Sequence, residues 1–164
     1  MPSSNSYSIP QKALHWTMAA LIFFNLILSD GMEIWNRTVS RGETPTVDQI
    51  SSANIHAYVG IAVLCLAILR LLLRLFQGGP SVPANEPPLA KIAAKVTHVT
   101  FYLLFFLLPL TGIGRYYFGN ETAGELHGGP LKLVLWALIV LHILAVLVHH
   151  FIWKTDVATR MTKG

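Results

Sequence analysis

Seven histidines, His15, His56, His98, His127, His142, His149 and His150, occur in a chain that has one cysteine. All but His127 fall in stretches without a single Asp, Glu, Lys or Arg. Imidazole in an apolar, membrane-like environment is costly and marks either function or a specific partner. Several buried imidazoles point first to metal chemistry. Structural zinc wants four nitrogen or sulfur ligands close together, and here Cys65 is alone while the acidic residues lie outside the apolar stretches. Two imidazoles per site instead suit a haem iron whose other four positions are porphyrin nitrogens. No C-x-x-C-H motif occurs, so any haem is held without covalent attachment.

The elements that must position these histidines follow from charge. The chain has 164 residues, 53% hydrophobic and only 12% charged, against about 25% charged in soluble domains. Charge-free runs cover residues 13–29, 50–69, 96–114 and 133–153, of 17, 20, 19 and 21 residues. Each is near the ~20 residues that cross a ~30 Å hydrocarbon core. The fold class expected is an all-α integral membrane four-helix bundle, up-down-up-down, with helices at about 10–31, 49–76, 89–118 and 130–153. Residues 1–9 read as a polar flexible tail, 10–154 as one transmembrane haem-binding domain, and 155–164 as a cytoplasmic tail. The first run is not read as a cleaved signal, being longer than 7–15 apolar residues and lacking an A-x-A-like site after Leu28. Gly78-Gly79-Pro80 should stop the second helix, and four prolines in 80–88 make an extended loop. Pro109 should kink the third helix, and Pro130 should open the fourth.

With four spans both termini share one side. That side holds eight of the twelve Lys and Arg residues and the other side four, so the positive-inside rule places the termini in the cytoplasm. The net charge of +4 therefore reflects topology and gives no reason to expect nucleic acid. Trp35, Tyr116, Tyr117 and Trp153 fall near helix ends as interfacial anchors, whereas Trp16 and Trp136 lie deeper and need another role. Cys65 reads as a small buried apolar side chain.

On this frame the histidines pair by depth, taking a rise of ~1.5 Å per residue. His15 enters the first helix about one turn from the inner side, and His142 lies roughly 16 Å above the inner end of the fourth. His56 lies about two turns into the second helix from the outer side, and His127 sits just before the fourth. The expectation is an inner haem between His15 and His142 and an outer haem between His56 and His127. Small residues one turn after the ligands, Ala19, Gly60 and Ala145, give clearance for a flat ring, although they also favour ordinary helix packing. Arg70 and Arg74 are candidate partners for haem propionates, or simple positive-inside anchors. His149 lies two turns beyond His142 on nearly the same face, suited to a quinone carbonyl and its proton. His98 could face the same area, and His150 points about 100° away.

The segments A-L-H-W at 13–16, N-I-H-A-Y-V-G-I at 54–61 and R-L-L-L-R at 70–74 resemble the prokaryotic cytochrome b561 family, which is related to the b subunits of membrane hydrogenases and formate dehydrogenases. H-V-T-F-Y-L-L-F-F-L-L-P at 98–109, L-H at 141–142, H-H-F-I-W-K-T-D at 149–156 and R-M at 160–161 extend the resemblance over nearly the whole chain. It implies four transmembrane helices, two non-covalent b haems with bis-histidine ligation, and quinone-linked electron transfer in the bacterial inner membrane. One family member oxidises superoxide at the outer face and passes the electron to ubiquinone. By the resemblance His15 and His142 are the inner ligands, His56 is an outer ligand and His149 is the quinone-side histidine. The chain departs from the family at one point: its two fourth-helix ligands are typically fourteen residues apart, and His127 and His142 are fifteen apart. On a regular helix one residue turns a side chain by 100°. Either a bulge or a non-helical approach restores the aim, or His127 is not a ligand.

The function expected is a di-haem b-type oxidoreductase moving electrons between an outer donor, with superoxide the first to test, and the quinone pool. The alternative is a non-catalytic electron-transfer anchor for a periplasmic redox protein. The outer loop is short and not net basic, so it offers little steering for an anion.

Overall fold

The computed structural model describes residues 6–81 and 86–163, and no strand occurs among them. Residues 1–5 of the expected tail and 82–85 of the proline-rich loop lie outside the described residues.

Helix α1 spans Ile9–Ile27 and α3 spans Val47–Gln77. Both begin in the same way, because both sequences carry Ser or Thr three residues before Gln. Ser8 accepts from the Gln11 amide while the Gln11 side chain accepts from the Ser8 amide, and Thr46 and Gln49 do likewise. These reciprocal caps satisfy donors that the first turn leaves open. Helix α4, Pro88–Phe118, runs through Pro109 without a break. Thr111 Oγ1 donates to the Leu107 and Leu108 carbonyls there, at 2.7 and 2.9 Å. Gly119, at φ 64°, closes the helix in the left-handed region that glycine enters without a Cβ penalty.

Two departures from the sequence expectation bear on the site. The first helix ends at Ile27, not near Gly31, and a separate helix, α2 (Asp30–Ser40), follows at a 49° bend. It packs on α3 at close range, where a Cβ on Gly31 would fall 2.5 Å from Ser52 Cβ. The second departure is at 119–129, read as a loop. It contains α5, Glu121–Leu126, capped by Asn120 Oδ1 accepting from the Ala123 amide at 2.9 Å. A wide π-type turn, His127–Leu131, joins α5 to α6, Lys132–Leu147. Gly129 leaves helical geometry in that turn, at φ −101° and ψ −106°. Pro130 follows, with no N–H to offer the preceding turn. A second wide turn, Val148–Ile152, ends the run, and α7, Val157–Thr162, lies beyond it in what was read as a tail.

Helices α3 and α4, and the run Glu121–Ile152, are each long and apolar enough to cross a membrane; α1 with α2 passes only as a bent pair. Among the described residues the candidate spans therefore number three, or four if the bent pair is one span, and many large apolar side chains are exposed. The buried apolar core among the described residues is Met18, Ala53, Val63, Ala67, Leu104 and Leu135. Cys65 is exposed, contrary to expectation. Val63 and Ala67 take the inward positions of that helix, leaving Cys65 on the face turned outward, where lipid rather than protein would cover it.

The first and last described segments meet at one end of the bundle. Ser8 Oγ donates to Gln77 Oε1 at 2.7 Å, Gln11 Nε2 donates to the Gly78 carbonyl at 2.9 Å, and Trp16 Nε1 donates to the Met161 carbonyl at 3.2 Å. Arg160 donates to the Ser81 carbonyl, and its own carbonyl accepts from Ser6 Oγ at 3.0 Å. We call this the terminal end and the opposite one the distal end.

Candidate functional site

The bundle brings five of its seven histidines together in two groups, one at each end. At the terminal end the rings of His15 (α1) and His142 (α6) lie 6.3 Å apart between centroids, at 55°. His98 of α4 stands 6.4 Å from the same His142, and Phe101, one turn later, 5.7 Å from it. His98 thus joins the deep pair. Arg70 lies within electrostatic reach of His15, His98 and His142, and its Nη1 donates to the Gln11 carbonyl at 3.3 Å. Arg74 sits farther out, its guanidinium 5.9 Å from the Tyr7 ring. Trp16 packs edge-on against His15 at 5.2 Å, the role its depth required, and Trp136 packs against Phe23 at 6.4 Å.

At the distal end His56 (α3) and His127 (the wide turn) lie 6.0 Å apart, at 75°. Here the wide turn matters. A π-type turn absorbs one extra residue into a helix, and across it the His127 ring still comes to face His56. The ring is held on its far side as well: His127 Nδ1–H donates to the Leu108 carbonyl at 2.7 Å. That bond fixes the tautomer and leaves Nε2 free to bind a metal. Gly112, one turn along α4, makes the room, since a Cβ there would sit 3.0 Å from His127 Cε1. Neither Leu108 nor Gly112 was singled out in the sequence. The one signal was the pair of glycines, Gly112 and Gly114, just after Pro109.

A cavity of about 400 Å³ opens beside this pair, lined by His56, Gly60, Leu108, Gly112 and His127. Two buried polar atoms beside it lack hydrogen-bond partners, His56 Nδ1 and Asn25 Oδ1. Asn25 also ties α1 to α3, donating from Nδ2 to the His56 carbonyl at 3.1 Å. Buried polar atoms are rarely left unsatisfied, so the site has room and unmet polar capacity for an occupant. At the rim Arg115 donates to Asn36 Oδ1 at 2.8 Å and to Ser40 Oγ at 2.9 Å, holding α2 over the opening. Tyr116, read as an interfacial anchor, packs against Trp35 at 4.6 Å with the rings tilted by 53°, and donates to Asn54 Oδ1 at 2.9 Å.

Both pairs suit a bis-imidazole metal site. Two nitrogens each ~2 Å from one ion put the ring centroids about 6 Å apart, close to the 6.3 and 6.0 Å observed. Among the described residues no group of three or more His, Cys, Asp or Glu could hold a bare metal ion. A macrocycle that fills the equatorial positions itself is what two facing imidazoles leave room for.

His149 stands apart from both pairs. It is buried in the second wide turn, its Nδ1 2.8 Å from Thr155 Oγ1 and its Nε2 3.4 Å from Glu86 Oε1. Trp153 packs edge-on against it at 4.7 Å. His150 is exposed beside Phe151.

The sequence profile described as prokaryotic cytochrome b561 matches residues 6–164. A probable superoxide oxidase of Yersinia pestis is 30% identical, covering 94% of each chain. A cytochrome b562 of Cereibacter sphaeroides is also 30% identical, over 99% of each. A cytochrome b561 homologue of Escherichia coli is 24% identical, over 94% of this chain and 90% of its own. With a haem-type histidine geometry and a match over nearly its full length, the chain belongs to the prokaryotic cytochrome b561 family and is a haem-binding, electron-transferring membrane protein.

Proposed function

We propose that the chain is a di-haem quinone oxidoreductase of the bacterial inner membrane, taking electrons from an outer-face donor and delivering them to ubiquinone. Superoxide is the donor favoured, because the Yersinia pestis relative is named a probable superoxide oxidase. In this reading four spans run up-down-up-down with α1 and α2 as one bent span. The terminal end then faces the cytoplasm, as the excess of Lys and Arg there requires.

The observation that carries the proposal is the pair of facing imidazoles at each end. His15 and His142 would hold one b haem, and His56 and His127 the other. Haem held by two histidines supplies one-electron transfer and keeps no open position for oxygen activation. The chain's own residues then have separable tasks. Leu108 and Gly112 aim His127, Asn25 fixes α1 against the His56 turn, and Phe101 and Trp16 wall the terminal-end imidazoles. Arg70 and Arg74 are the candidate partners for propionates at the terminal end. Lys132 acts electrostatically on both distal histidines and gives that end a local cation near its mouth, which an anionic donor would meet.

A pyridine haemochrome assay on purified protein tests the first half, with two haems per chain expected. Mixing with superoxide under anaerobic ubiquinone tests the second: fast haem reduction followed by reoxidation is expected of the isolated protein. Reduction only when a separate periplasmic redox protein is added would instead establish an electron-transfer anchor.

A further inference from the structure

The buried pair of Glu86 and His149 joins segments far apart in the sequence and takes no part in the histidine pairs just described. Glu86 lies in the connection between α3 and α4, yet its side chain is only 5% exposed, and that of His149 11%. Taking a carboxylate out of water costs several kcal/mol, and well-packed apolar residues generally hold a fold together as well as such a pair does. Stability alone gives little reason for acid here.

The contacts on the His149 ring are unequal. Nδ1 is held at 2.8 Å by Thr155 Oγ1, which also donates to the His149 carbonyl at 3.3 Å. The Thr155 amide donates to that carbonyl too, at 2.9 Å. This side of the ring is locked. Nε2 meets Glu86 Oε1 at 3.4 Å, beyond the 2.7–3.2 Å of a well-formed bond. The carboxylate therefore stands at the one ring nitrogen a quinone oxygen would need, too far to hold the position closed and just outside direct proton-transfer reach, which a small closing movement would restore. Its own placement is cheap in entropy. Pro87 and Pro88 follow it, Pro87 at φ −55° and ψ 142°, and a residue before proline is confined to extended conformations.

We propose that Glu86 is the proton-carrying partner of His149 in reduction of a quinone at the terminal end. This rests on the quinone reading above. Reduction of the quinone consumes two electrons and two protons and yields the quinol. For each proton, the His149 imidazolium gives the hydrogen on Nε2 to a quinone oxygen and becomes the neutral ring protonated at Nδ1. Glu86, carrying a proton, returns it to Nε2, which restores the imidazolium and leaves the carboxylate. Water at the cytoplasmic face then reprotonates Glu86. Thr155 keeps Nδ1 occupied, so the ring turns over at one nitrogen only.

The experiment uses the haem-loaded protein in detergent, reduced with stoichiometric dithionite and mixed without oxygen with decylubiquinone. Haem reoxidation gives the rate at saturating quinone, and a titration of oxidised protein gives quinone affinity. Wild type should reoxidise rapidly; failure to do so overturns the quinone reading and this inference with it. Glu86→Gln keeps a polar side chain of the same size but has no acidic proton to give up. It should slow the saturated rate by about tenfold or more, with quinone affinity and haem spectrum unchanged, and Glu86→Asp should recover part of the loss. A wild-type rate in Glu86→Gln overturns the role of Glu86 and leaves the quinone reading standing. So does a loss seen in Glu86→Ala but absent in Glu86→Gln, which would mean packing alone. Should Glu86→Gln not take up haem, Glu86→Asp decides alone: a saturated rate several-fold below wild type with an intact haem spectrum supports the relay, and an unchanged rate overturns it.

Discussion

The two histidine pairs have nearly the same separation, yet the chain achieves it by different means at its two ends. At the terminal end His15 and His142 come from regular helices, and His98, Phe101 and Trp16 pack around them. The local backbone there needs no special feature. At the distal end His127 reaches His56 only through a wide turn with a non-helical glycine, a bond to the Leu108 carbonyl and a glycine-sized gap at residue 112. A pair on two regular helices depends on whole-helix packing. A pair that includes a turn depends on a few local contacts, and so should be the easier of the two to disturb without unfolding the protein.

The largest effects should come from removing the proposed ligands. His142→Ala should take the haem count from two to one per chain, and the spectrum that remains should be that of the distal site. His127→Ala should give the complementary result. If both variants lost both haems, the two sites would not be independent and the contrast drawn here would fail. Pyridine haemochrome stoichiometry with low-temperature difference spectra reads both.

A smaller effect should separate the ends by their surroundings. Gly112→Val pushes a side chain toward His127 Cε1, where even a Cβ lies at 3.0 Å. Disturbing the outer support of a metal ligand typically costs 10–100-fold in metal affinity. About tenfold weaker distal haem binding is expected, measured by haem titration of the apoprotein, with terminal-end binding unaltered. Equal weakening at both ends would show that α4 as a whole had moved. Smaller again, Arg70→Gln removes a cation near the terminal-end histidines. It should lower that haem's midpoint potential by roughly 50 mV, a one-electron shift of about 1 kcal/mol, and leave the distal potential in place.

How much of this was legible in the sequence follows the same division. Three of the apolar spans could be read because charge is costly inside them, whereas the first qualifies only with α2, which carries Asp30, Glu33 and Arg37. The grouping of His15 with His142 follows from depth on regular helices, where position fixes direction. The distal approach could be stated only as a choice, since the fifteen-residue spacing says that something irregular is needed and not what it is. The helix at Asp30–Ser40 was missed because Ser29-Asp30-Gly31 reads equally as a helix end or as a bend between two helices. Glu86 was counted only as a charge. Its burial depends on a contact between a proline-rich connection and the wide turn that ends the run Glu121–Ile152, and no local pattern encodes that. His98 was placed toward His149 on depth alone, whereas helix rotation puts its ring against His142.

The smallest effect expected concerns closure. The distal end opens into a cavity, while the terminal end is crossed by α7, bound to the N-terminal segment through Arg160 and Met161. Arg160 Nη2 also pairs with Asp156 Oδ1 one turn earlier, at 2.9 Å. The hydrogen bond from Arg160 holds the Asp156 carboxyl below its ordinary value of 3.8. Folding then favours the ionised form, so the contribution of the pair is complete above the ordinary value and is lost as pH falls through the depressed one. The carboxylate is open to solvent, and exposed pairs contribute little. Asp156→Asn, which imitates the protonated acid, should therefore raise amide hydrogen exchange in Val157–Thr162 only a few-fold at neutral pH. The amides of α5 at the distal end should not respond. A large increase in α7, or one that spread into α1 through Trp16, would mean that closure of the terminal end depends on this one pair and not on the several backbone contacts around it.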